Sequence, residues 1–123
     1  MKTQFGPNTL ASELVDFTSD ISPNQEFNRG TLHLFCSPLF LQTMYALYDK
    51  NIQTLSCGSG RERGILPGIT CNYHTLSDEN KALVKDLIIS PGEFRIGAKI
   101  DADTTFAQFE SRLLLIADTL KQQ

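Results

Sequence analysis

Glu93-Phe94-Arg95-Ile96-Gly97-Ala98-Lys99-Ile100 alternates without a break: Phe94, Ile96, Ala98 and Ile100 fall on one side, Arg95, Gly97 and Lys99 on the other. A period of two is the pattern of a β-strand with one buried face. The chain must therefore build a sheet with an apolar side and a polar side. Working outward, Leu66 to His74 sets Ile69, Cys71 and Tyr73 against Thr70, Asn72 and His74, with Pro67 and Gly68 marking an edge, a bulge or a late start. Ile52 to Ser56 reads as a shorter strand before it. Thr31 to Cys36 sets Leu32 and Leu34 against His33 and Phe35 and reads as the first strand.

Helical spacing fills the gaps. Ser37 supplies an N-cap and Pro38 a first helical position, and Phe40, Leu41, Met44, Tyr45, Leu47 and Tyr48 follow, with Asn51 as a left-handed stop. Ser77 caps a second helix with Asp78 and Glu79 in its first turn. Ala82, Leu83, Leu87 and Ile88 form its apolar stripe, and Ser90-Pro91-Gly92 ends it. Asp103 or Thr104 caps a last helix striped by Phe106, Phe109, Leu113, Ile116, Ala117 and Leu120. A short helix from Asn8 or Thr9 to Thr18 and a turn-rich connector through Gly30 precede the core. The expected fold is α+β: a ferredoxin-like βαββαβ two-layer sandwich with an extra N-terminal and an extra C-terminal helix. One domain spans 1–123, with residues 1–30 as leading helix and connector and 31–123 as the α+β core.

With 123 residues, 41% of them hydrophobic and 20% charged, the chain can bury roughly two thirds of its unfolded surface in one core. A net charge of −3 disfavours nonspecific binding to nucleic acid or anionic membranes, although tRNA is not excluded. Cys36, Cys57 and Cys71 are odd in number and lack a Cys-x-x-Cys pair, which argues against a disulfide framework or a zinc knuckle. The N-terminus lacks the apolar core of a secretion signal and no run is long enough to cross a bilayer, so a soluble, cytoplasmic protein is expected.

Leu55-Ser56-Cys57-Gly58-Ser59-Gly60-Arg61-Glu62-Arg63-Gly64 joins two strands and holds three of the eight glycines. Glycines can turn backbone N–H groups toward an anion and arginines add forked donors. Ser56, Gly58, Ser59, Gly60, Arg61 and Arg63 are therefore candidate ligand-binding residues for a phosphate- or nucleotide-like anion. A long hairpin loop uses the same residues simply to turn and stay solvated, and neither a phosphate-loop ending nor a dinucleotide fingerprint is present. Cys57, at the mouth of the loop beside two arginines, is a candidate nucleophile with His74 as its base. Buried space-filling is the other reading of the same cysteine. If the apolar parity of each strand marks the helix-covered side, His33, Asn72 and Arg95 join Thr70 and Lys99 on the opposite face and extend the ligand-binding set. Cys71 and His74 point to opposite faces of a strand and cannot chelate together, so no metal site is expected.

The Leu55 to Arg61 segment resembles the Ser-Cys-Ser-Gly-Arg signature of the wyosine-tRNA-modifying methyltransferase family, with Gly58 or Ser59 as an extra residue. The likeness spans about ten residues. It implies an S-adenosylmethionine-dependent tRNA-modification enzyme or a diverged relative, with Ser56, Cys57 and Arg61 at the matched positions. From the residues alone the expected function is binding of a small anionic ligand at loop 57–64. The alternative is a noncatalytic interaction or regulatory module, such as a homodimer, built on the open sheet face.

Overall fold

Proline lacks an N–H that the first turn of a helix would leave unsatisfied anyway, and the first element described, α1 (Pro38–Asp49), begins on one. The computed structural model describes residues 38–123. The expected N-terminal helix, the connector, the Thr31 to Cys36 strand with His33, and the Ser37 cap lie outside them. Helix α1 buries Leu39, Phe40, Thr43, Met44 and Leu47. It stops where Asn51 takes a left-handed φ of 62°, a conformation that asparagine tolerates better than most side chains.

Four strands follow: β1 (Thr54–Gly58), β2 (Gly68–Asn72), β3 (Ile88–Ser90) and β4 (Glu93–Gly97). They form one antiparallel sheet in the order β1-β2-β4-β3. Directly opposed residues share a face. One face therefore carries the rows Cys57–Ile69–Ile96 and Cys71–Phe94, all of them fully buried. Against this side pack α1 and the last helix, α3 (Phe106–Thr119). Phe109, Leu113, Ala117 and the following Leu120 close the core, and the Phe40 and Phe109 rings meet edge to face at 5.9 Å. Each large side chain buried here contributes about 2 kcal/mol. Phe106 and Ile116, expected in the same stripe, are only partly covered.

The strand order departs from a ferredoxin-like sheet. In a split βαβ arrangement the Thr31 to Cys36 strand would separate the strands at 68–72 and 93–97, whereas Gly68–Asn72 and Glu93–Gly97 pair directly over five residues. The reason lies in the second helical segment. The expected helix with an Ala82, Leu83, Leu87 and Ile88 stripe is instead a six-residue α2 (Asp78–Leu83), a 3-10 turn (Lys85–Leu87) and strand β3. Leu83 and Ile88 are exposed, and the residues that α2 and its cap bury are Asn80 and Val84. Pro91 and Gly92 then reverse the chain at once, Gly92 with a φ of 83°, so β4 returns antiparallel beside β3. That φ favours glycine, and a Cβ at position 92 would also displace the exposed His74 ring, 2.6 Å away.

The caps are local and legible. Ser77 Oγ accepts from Asn80 N at the start of α2. Thr105, and not the expected Asp103 or Thr104, caps α3 in a reciprocal box with Gln108. Thr104 instead donates to Asp101, and its hydroxyl with the Asp103 amide holds the Asp101 carboxyl below the usual range. At the far end of α3, Lys50 Nζ donates to the Ala117 and Leu120 carbonyls, a cation placed at the negative helix terminus.

Gln123 ties the end of α3 to the loops around it. Its Oε1 accepts from Ser77 N and Asn80 Nδ2, while its Nε2 donates to the Asn51 and Thr75 carbonyls. Buried Asn80 also exchanges two hydrogen bonds with the Lys121 backbone. Gln123→Ala removes four hydrogen bonds at about 0.5–1 kcal/mol each, so a loss of about 2–3 kcal/mol is expected in urea unfolding, with an unchanged m-value. A loss under about 0.5 kcal/mol would mean that this amide contributes nothing to holding α3.

Candidate functional site

The face opposite the helices carries the rows Gly58–Gly68–Gly97, Ser56–Thr70–Arg95 and Asn72–Glu93–Ser90. In the first row three strands present no side chain at all. A Cβ on Gly68 would stand 2.0 Å from the Ile96 carbonyl, and one on Gly97 would stand 3.0 Å from both Leu66 Cβ and the Pro67 carbonyl. The row lets the 59–67 loop fold back onto the sheet. Gly60 and Gly64, with φ of 70° and 68°, bracket the 3-10 turn Arg61–Arg63 and supply the reversals.

Arg95 fastens that loop. Only 4% exposed, it donates from Nε to the Leu66 carbonyl (2.8 Å), from Nη1 to Thr70 Oγ1 (2.7 Å) and from Nη2 to the Gly58 carbonyl (2.9 Å). One side chain of β4 thus joins β1, β2 and the loop exit. The planar fork of a guanidinium suits this three-way task, and an ammonium would not. The expected sharing of a face by Thr70, Asn72 and Arg95 is what the register produces, but Thr70 and Arg95 are buried on it and not solvated.

Four amides of the loop segment are engaged within it. Arg61 N donates to Ser59 Oγ, Arg63 N and Ile65 N to the Gly60 carbonyl, and Gly64 N to the Arg61 carbonyl. Ser56, Gly58, Ser59 and Gly60 are buried. Arg61 and Arg63 are exposed, and Arg63 Nη2 pairs with Glu93 Oε1 at 2.9 Å. Ser90 Oγ donates to the same carboxylate at 2.7 Å and, with Arg63, holds Glu93 below its usual range against the opposing effect of burial. Asn72 is engaged too, donating to Gln53 Oε1 and accepting from the His74 amide.

Cys57 and His74 are not brought together. Strand β1 runs to Gly58, two residues beyond the expected end, so Cys57 sits inside it opposite Ile69 and fully buried on the helix side. The rise along β2 puts roughly 10 Å between the levels of Ile69 and Asn72. His74 lies beyond Asn72, exposed, with its ring edge-on to Tyr73. Burial pushes the Cys71 thiol far above its ordinary range and outweighs the opposing Arg95 charge. Among the described residues no group of three or more His, Cys, Asp or Glu side chains could hold a metal.

Beside the loop exit lies a cleft of about 420 Å³. Gly64, Ile65 and Leu66 line it from the loop, Asp86 to Ile89 from the 3-10 turn and β3, and Arg95 and Gly97 from β4. Leu66 is 49% and Ile88 43% exposed. Of these residues only Arg95 stands out in the sequence as a ligand candidate. The available signal for the rest was Ile88-Ile89 followed by Ser90-Pro91-Gly92, a β-branched pair running into a turn. Among the described residues no helix is long and apolar enough to cross a membrane. No family model, curated protein or solved structure matches the chain.

Arg95→Met leaves the buried Gly58 carbonyl, the part-buried Leu66 carbonyl and the Thr70 hydroxyl without this donor and is expected to cost about 3 kcal/mol in urea unfolding; Arg95→Lys recovers less than half. Full recovery by lysine would show that charge alone, and not the fork, holds the loop. Iodoacetamide at neutral pH is expected to label Cys57 and Cys71 only after denaturant is added, read by peptide mass mapping. Native labelling of Cys57 faster than that of free cysteine would restore it as an activated nucleophile.

Proposed function

We propose that this chain is a small-molecule binding domain whose ligand has an apolar body and an acidic group. The ligand lies in the cleft beside the glycine loop, with the loop serving as a wall. The observation that carries this reading is the lining: Ile65, Leu66, Leu87, Ile88 and Ile89 supply apolar surface, and the Arg95 guanidinium supplies a fixed positive charge. A mostly apolar concavity with a few placed polar groups is the usual form of a ligand site, and about 420 Å³ belongs to small ligands. Arg95 does not have to release its protein partners to act. A guanidinium held in a partly desolvated wall attracts an anion through its charge.

Self-association is the second reading, favoured by one observation. Leu66, Leu83 and Ile88 are large, apolar and exposed, and among the described residues β3 is a short strand at the sheet edge. A light-scattering mass decides whether two copies cover these residues.

Thermal-shift titration with hexanoate, phenylacetate, AMP and S-adenosylmethionine tests the first reading. An aliphatic or aromatic acid is expected to raise the melting temperature as the logarithm of its saturation. In the Leu66→Ala/Ile88→Ala double variant stability stays within about 1 kcal/mol, because both side chains are exposed, while the affinity falls at least tenfold. A shift with S-adenosylmethionine alone would instead favour the tRNA-modification activity that the Ser56 to Arg61 resemblance implies. No shift together with a dimeric mass would favour the interaction module.

A further inference from the structure

Among the described residues, the charged groups that line the cleft are one of each sign. Arg95 is 4% exposed and held from three directions, so its charge is fixed in place. Asp86 is exposed in the 3-10 turn ahead of β3 and lines the same space. Between them the lining is aliphatic or glycine.

This pair limits the ligand. A carboxylate alone is attracted by Arg95 and repelled by Asp86, so it binds, but more weakly than one whose molecule also answers Asp86. A phosphate dianion doubles both effects and adds a larger desolvation cost. An amine alone meets the reverse conflict. A molecule that carries both charges satisfies each wall with its opposite, and an aliphatic body suits the walls of Ile65, Leu66 and Ile88.

We propose that the cleft takes a small zwitterion with an aliphatic body, an amino acid or dipeptide of the leucine type. Its carboxylate faces Arg95 and its ammonium faces Asp86. The inference rests on the cleft being the ligand site and adds the class of ligand. It also gives Asp86 a role in specificity: the side chain selects against simple acids.

The experiment is calorimetric titration of the full chain with L-leucine, L-leucyl-L-leucine, 4-methylpentanoate, which lacks the ammonium, and 3-methylbutylamine, which lacks the carboxylate. At least one of the two zwitterions is expected to bind tenfold or more tightly than either analogue. Asp86→Asn, at an exposed position, is expected to leave the melting temperature unchanged and to lower that zwitterion to the level of 4-methylpentanoate. If 4-methylpentanoate binds the wild type as tightly as the zwitterions, or if Asp86→Asn leaves zwitterion affinity intact, this inference is overturned while the acid-binding cleft stands. If none of the four compounds binds and the wider acid panel is also silent, both readings fall together.

Discussion

Taking a guanidinium out of water costs several kcal/mol unless acceptors meet its N–H groups, and that requirement organises the open side of this sheet. Arg95 meets it with the Leu66 and Gly58 carbonyls and the Thr70 hydroxyl, contributed by the loop exit, β1 and β2. Those acceptors can converge only if the 59–67 loop lies close against the sheet. The glycine row Gly58–Gly68–Gly97 allows the approach, and Leu66 stands over Gly97 as a result. The placement of Leu66, and with it one wall of the cleft, is therefore a consequence of burying one charge.

The helix side obeys a different constraint. Its rows are apolar, and α1 and α3 cover them with phenylalanine, leucine and methionine side chains that need only volume and exclusion from water. Polar contacts gather at the C-terminal end of α3, where backbone groups would otherwise be orphaned. Lys50 closes the last turn of α3, and Gln123 and Asn80 tie the following residues to the loops beneath. The two faces divide the work: one holds the fold by area, and the other shapes a cleft by hydrogen bonding.

Much of the local structure was legible before any coordinates. The period-two alternation of Phe94 and Ile96 against Arg95, the Ser77 cap, the Asn51 stop and the Phe109, Leu113 and Ala117 stripe are one-dimensional signals of one-dimensional geometry. The second helix was misjudged because Leu83, Leu87 and Ile88 satisfy helical spacing. Helical spacing does not say whether a helix continues or gives way to a hairpin, and Pro91-Gly92 next to Ile88-Ile89 decided for the hairpin. The glycine loop was legible as a special backbone and illegible in its purpose. The amides of Arg61, Arg63, Gly64 and Ile65 are satisfied within the loop itself, and no spacing rule reports that.

The sequence by itself determined the α+β class, the parity of β2 and β4, the Ser77 cap and the Asn51 stop, because propensity, capping and period depend on neighbours along the chain. Tertiary structure alone decided the order β1-β2-β4-β3, the separation of Cys57 from His74, and the meeting of Arg95, Leu66, Asp86 and Ile88 around one cleft. Those are relations between separate elements of the chain. They depend on which strand edges find each other and on how closely a loop can approach a row of glycines, and both are settled in three dimensions by hydrogen-bond register and excluded volume.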